Sequence, residues 1–145
     1  MKPLEKAINL YNEELNCSQA VLCAYADELG LDNETALRIA SPFGGGIARN
    51  GKICGAVTGG LMVIGVKNWN SGIEREDAKA KVYQISNQFL EEIKKRNGAI
   101  DCEDLLGINV STAEGRALVK EKNLSVKVCH KVIVDVVEAL TKLKK

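Results

Sequence analysis

Nowhere does this chain alternate apolar and polar residues in the two-residue period of a half-buried strand; nearly every segment repeats its apolar residues at helical spacing instead. That pattern predicts an all-α fold, a compact single-domain bundle of about six to seven helices over residues 1–145. Leu4, Ala7, Ile8, Tyr11 and Leu15 share one face behind Pro3, which suits a first helical turn. Asn16 is placed to cap a second helix reaching about Leu29 and closed by Gly30. Asp32 or Asn33 opens a third, ending before Pro42. A long helix from Ile73 to Arg96 turns Val82, Ile85, Phe89 and Ile93 inward and stops at Asn97-Gly98. After a short turn from Cys102 to Leu106, Ser111 and Glu114 read as a capping box for the next helix. The last helix starts near Ser125 and runs to the chain end. Its Val126, Val128, Val132, Ile133, Val134, Val136 and Val137 are good strand formers, but Lys131, Asp135, Glu138 and Lys142 draw one polar stripe, so the period decides for a helix.

The longest uncharged stretch, Ile53 to Val66, is interrupted by Gly55, Gly59, Gly60 and Gly65. A bilayer span needs roughly 20 apolar residues, so a buried central helix is expected and membrane insertion is not. Each interior glycine costs about 1 kcal/mol against alanine, which close packing or the building of a site must offset. A formal net charge of +1 and few aromatics (one Trp, three Tyr, two Phe), none interleaved with basic residues, argue against a nucleic-acid partner. The N-terminus, Met1-Lys2-Pro3-Leu4-Glu5, has no apolar run behind a basic start, so no secretory signal is expected and the reading is cytoplasmic. A homo-oligomer stays open.

In a reducing compartment, five cysteines point to metal binding, catalysis or simple burial rather than to a disulfide framework. No C-x-x-C is present, so any joint action of these thiols has to be assembled by the fold. Cys17, Cys54, Cys102 and Cys129 all fall at or near expected helix starts, where unpaired N–H groups and the macrodipole favour a thiolate and a lowered pKa. Cys23 lies in the same helix as Cys17, about 120° round its axis, and reads as a small buried hydrophobe. Core burial is the plain alternative for the other four as well.

Five blocks, Asn16-Cys17-Ser18-Gln19-Ala20-Val21, Phe43-Gly44-Gly45-Gly46, Cys54-Gly55-Ala56-Val57-Thr58-Gly59, Cys102-Glu103-Asp104-Leu105-Leu106-Gly107 and Cys129-His130-Lys131-Val132-Ile133, resemble the signature of the C_GCAxxG_C_C family of redox-active proteins. The resemblance spans nearly the whole chain. It places Cys17, Cys54, Cys102 and Cys129 on the family's motif cysteines and leaves Cys23 outside them.

Three functions follow as expectations. The first is a redox carrier whose four thiolates hold a zinc ion or an iron–sulfur cluster for electron transfer to an unknown partner protein. The second is a thiol–disulfide oxidoreductase or redox sensor without metal. The third is a non-catalytic helical interaction module. Gly55, Arg49 and Lys52 are the candidate cofactor-binding residues: glycine lets backbone approach the sulfurs, and the two cations would offset thiolate charge. The glycine loop lacks both the G-x-x-x-x-G-K-[ST] pattern and a preceding strand, so a nucleotide site is not expected. His130, the single histidine, reads as exposed or structural, because adjacent helical residues point about 100° apart.

Overall fold

A computed structural model describes residues 1–143; Lys144 and Lys145, to which the last helix was expected to extend, lie outside the described residues. Within the described residues there is no strand, and the chain forms eight α-helices. The first, α1 (Pro3–Asn12), begins on its proline. A reciprocal capping box opens α2 (Cys17–Leu29): Gln19 N–H donates to Asn16 Oδ1 at 2.9 Å and Asn16 N–H to Gln19 Oε1 at 3.1 Å. Asp32 caps α3 (Asn33–Ala40) by accepting from the Thr35 amide at 3.0 Å. Next come α4 (Gly55–Asn68) and α5 (Arg75–Asn97), the latter with Glu76 and Asp77 in its first turn and Lys94, Lys95 and Arg96 in its last, as the helix dipole prefers. The chain ends with α6 (Cys102–Leu106), α7 (Ala113–Glu121) and α8 (His130–Lys142).

Four differences from the sequence reading have local causes. The eighth helix is α6, a single turn closed by Gly107, too short to show a period. The apolar helix starts at Gly55 rather than Ile53, because Ile53 forms an isolated antiparallel bridge with Asp101. Thr112, not Ser111, caps α7: its hydroxyl accepts from the Gly115 amide at 3.0 Å, while Ser111 Oγ donates to Asn109 at 2.6 Å. The last helix begins with a π-helical turn over Ser125–Cys129 before α8 proper. Such turns recur at functional sites, and this one ends on a motif cysteine.

The glycines of α4 let it lie close against its neighbours α2, α5 and α8. A Cβ on Gly59 would stand 2.9 Å from the Ser18 carbonyl oxygen, and one on Gly60 would stand 2.6 Å from Phe89 Cζ. Phe89, Ile93, Ile133 and Val136 are fully buried where α4, α5 and α8 meet. Burying such a side chain contributes about 1.5–3 kcal/mol. At the edge of this core Asp135 is held by Lys131 Nζ at 2.7 Å, Asn97 Nδ2 at 3.1 Å and Arg96 Nη1 at 3.2 Å.

The segment between α3 and α4 is built differently. Gly45, Gly46, Ile47, Ala48 and Arg49 all have positive φ, 64°, 69°, 66°, 51° and 66°, so the chain makes a left-handed turn. L-residues resist this conformation by about 1–2 kcal/mol each. Backbone hydrogen bonds offset that cost: Ala48 N–H donates to Pro42 O at 2.8 Å and Lys52 N–H to Gly46 O at 2.9 Å. Gly46 has no alternative, since a Cβ there would stand 2.5 Å from the Lys52 nitrogen. Beyond the turn, Cys54 N–H donates to Ile100 O at 2.8 Å and Cys102 N–H to Lys52 O at 2.6 Å. This backbone clip ties the start of α4 to the start of α6.

Candidate functional site

Cys17 is the first residue of α2, Cys54 the N-cap of α4, Cys102 the first residue of α6, and Cys129 the last residue of the π-helical turn. All four line one cavity of ≈ 320 Å³, together with Tyr11, Gly45, Arg49, Gly55, Arg116 and Ser125. All five cysteines are free thiols. Cys23 is buried and lines a different cavity, beside Asn9, Asp27 and Asn33. A larger cavity, ≈ 780 Å³ beside Trp69, Lys81 and Leu140, has no thiol in its lining, and size alone does not locate the chemistry.

Of the other candidates, Gly55 and Arg49 line the cysteine cavity. A Cβ on Gly55 would sit 3.0 Å from Phe43 O and 3.3 Å from Cys17 Cβ, so glycine is what allows α2 and α4 to meet at the sulfurs. Lys52 contributes through its backbone carbonyl, the acceptor for Cys102 N–H; its exposed side chain is not among the lining groups. His130 is half-buried outside the cavity, its ring edge-on to Tyr11 at 5.4 Å and its Nε2 3.1 Å from Asn12 Oδ1. It buttresses Tyr11 rather than facing the sulfurs.

The thiols are not equivalent. Cys17 and Cys129 act on each other's titration, and Tyr11 bears on Cys129. Hydrogen bonding from Cys17, then from Tyr11, outweighs burial and brings Cys129 down to about 7. Cys17 moves the opposite way, because its proton is held by Cys129 and because it is buried. Burial pushes Cys54 up to about 11, although the Ala56 and Val57 amides at the start of α4 pull against it. Burial first, then the Cys54 and Cys129 thiolates and the carboxylates of Glu103 and Asp101, push Cys102 up to about 12. Tyr11 is likewise held above its usual range, chiefly by burial.

One expectation is corrected here. Helix starts do not lower the pKa of all four cysteines: in this buried cavity desolvation exceeds the pull of the amides, and Cys129 alone falls. Tyr11, Ser125 and Arg116 belong to the site without having been singled out by sequence. Tyr11 has the spacing of an ordinary apolar-face residue, and nothing near Arg116 in the sequence marks it as a cavity residue.

Among the described residues no group of three or more His, Cys, Asp or Glu is placed to hold a single metal ion. No helix among the described residues is long and apolar enough to cross a membrane.

Residues 15–143 match the family model described as "Putative redox-active protein (C_GCAxxG_C_C)". A protein of Archaeoglobus fulgidus, described as an uncharacterized protein, is 30% identical over 115 residues, covering 72% of this chain and 74% of the relative. No solved structure matches. The family match takes in all four cavity cysteines and nearly the whole fold: the chain belongs to the C_GCAxxG_C_C family.

Proposed function

We propose that this protein is a thiol–disulfide oxidoreductase whose reacting pair is Cys129 and Cys17. The observation that carries this reading is that Cys17 and Cys129 line one cavity with Tyr11, with Cys129 alone drawn toward the thiolate. A thiolate attacks disulfides and a thiol does not; a pKa near ambient pH suits an attacking thiol. Cys129 Sγ attacks one sulfur of a substrate disulfide, and the substrate's S–S bond breaks as a mixed disulfide forms. The leaving thiolate takes up the proton that Cys17 gives. Cys17 Sγ then attacks Cys129 Sγ, closing an internal disulfide and expelling the second substrate thiolate. The protein loses two electrons and the substrate gains them. Tyr11 steadies the Cys129 thiolate by hydrogen bonding, and the high pKa of Cys54 and Cys102 keeps them out of the first attack.

Cys17→Ser should stop the reaction at the mixed disulfide, leaving a stable adduct on Cys129 visible in the intact mass. Cys129→Ser should give no adduct, and Cys23→Ser should behave as the unaltered protein. An adduct on Cys54 in Cys17→Ser protein would refute the assignment.

A second reading keeps a metal centre, because four thiols around one cavity are the donor set that iron–sulfur clusters take. Cys17, Cys54, Cys102 and Cys129 would be its ligands, and the cluster would supply one-electron transfer. Iron and sulfide analysis of anaerobically purified protein, with its visible absorption, tests this. A stoichiometric cluster lost on Cys54→Ser or Cys102→Ser would favour it over the dithiol.

A further inference from the structure

The cysteine cavity contains two positive charges that thiol chemistry leaves unused. Arg49 and Arg116 both line it. Among the described residues neither forms an ion pair with a carboxylate. Arg116 Nη1 donates to the Val110 carbonyl at 3.0 Å, which fixes the side chain without neutralising it. The placement of Arg49 is built into the backbone. It has φ 66° at the end of the left-handed turn, and the missing Cβ of Gly45 leaves room for its Cα and Cγ, each 2.8 Å from where that Cβ would be. A strained conformation of this kind persists where the surroundings enforce it, and it recurs at ligand sites. Among the described residues Glu14, which is exposed, is the one carboxylate on the cavity wall.

We infer that the disulfide accepted by this cavity is a small organic one bearing a carboxylate or comparable anion, seated by Arg49 and Arg116. The inference rests on the reading of Cys129 as the attacking thiolate. A cavity of ≈ 320 Å³ is at the small end of ligand sites and suits a compact molecule. Guanidinium groups present paired N–H donors that match a carboxylate and stay charged at any working pH. With a formal net charge of only +1, the molecule as a whole hardly steers anions, so selectivity has to arise locally.

Three aliphatic disulfides of similar reactivity separate the possibilities: dithiodiglycolate with two carboxylates, 2-hydroxyethyl disulfide with no charge, and cystamine with two ammonium groups. Their rates of reaction with the reduced protein are normalised to the rates each shows with free 2-mercaptoethanol. The dianion should be preferred over the neutral disulfide, and cystamine should be slowest. Arg49→Gln and Arg116→Gln should each reduce the dianion-to-neutral ratio by about fivefold, the scale of one partly screened charged contact. Equal normalised rates for all three with the unaltered protein would overturn the inference and leave the dithiol reading standing. No reaction above the free-thiol rate with any of them would instead overturn the dithiol reading itself. The comparison on unaltered protein does not depend on either variant folding.

Discussion

Where α4, α5 and α8 meet, Phe89, Ile93, Ile133 and Val136 are fully buried and glycines bring the helices into contact. Around the cysteine cavity, by contrast, the left-handed turn, α6 and the π-helical turn are fixed by backbone hydrogen bonds and positive-φ residues. The first region is held by apolar area, the second by geometry. The difference teaches where this molecule can tolerate change. Loss in the core is felt as global stability, whereas loss at the cavity is felt as local opening and altered thiol chemistry, as expected of functional segments drawn from the less stable end of a structure.

The largest expected effect tests the core side of that contrast. Phe89→Ala removes a fully buried ring packed on Gly60 and should lower unfolding free energy by about 3–5 kcal/mol in a urea titration. Below the midpoint, the order of thiol reactivity should be unchanged. A loss under about 1 kcal/mol would mean that apolar burial is not what holds α4 to α5.

Gly46→Ala tests the other side. It places a Cβ at φ 69° and against the Lys52 nitrogen, and should cost about 1–2 kcal/mol. Hydrogen exchange should locate the change: the Cys54 and Cys102 amides, bonded to Ile100 O and Lys52 O, should lose protection while Phe89 keeps its own. Uniform loss across the chain would erase the distinction between the two regions.

A smaller effect concerns pH. Burial alone would raise the Asp135 carboxyl, yet Lys131, then Asn97 and Arg96, hold it below its ordinary value. A depressed folded value means that its stabilisation is complete above the unfolded pKa near ~4 and is lost as pH falls through the lower folded one. Asp135→Asn should therefore lower stability by about 1 kcal/mol at pH 7 and flatten its decline between neutral pH and about pH 3. An unchanged slope in denaturation midpoints against pH would remove Asp135 from this role.

The smallest effect on stability is the most specific to the cavity. Labelling of Cys129 by iodoacetamide should rise with pH about a midpoint near 7, while Cys54 and Cys102, at about 11 and about 12, stay unlabelled. Tyr11→Phe should move the Cys129 midpoint upward, because one donor to the thiolate is lost. A midpoint that does not move would deny Tyr11 its contact.

The helical class was legible because period and caps are local: Asn16, Gly30, Asp32 and Gly98 do what their positions imply. The α6 turn was not, since five residues cannot display a period. Ile47, Ala48 and Arg49 in left-handed conformation leave no sequence trace, because L-residues disfavour it and only the surrounding hydrogen bonds impose it. The family motif orders four cysteines along the chain but does not say which thiols act on each other. That depends on α1, α2 and the π-helical turn meeting, and so do the depression of Cys129 and the presence of Tyr11 beside it. Burial likewise overrides the local helix-start rule at Cys54 and Cys102.

Mapping the first disulfide formed on oxidation tests the proposed couple most directly. Fully reduced protein is treated with one equivalent of diamide at neutral pH, the remaining thiols are blocked at acid pH, and peptides are identified by mass spectrometry. A Cys17–Cys129 crosslink with Cys23, Cys54 and Cys102 recovered as blocked thiols is the expected result. A crosslink between Cys54 and Cys102, or one that includes Cys23, with Cys17 and Cys129 still reduced, would contradict it.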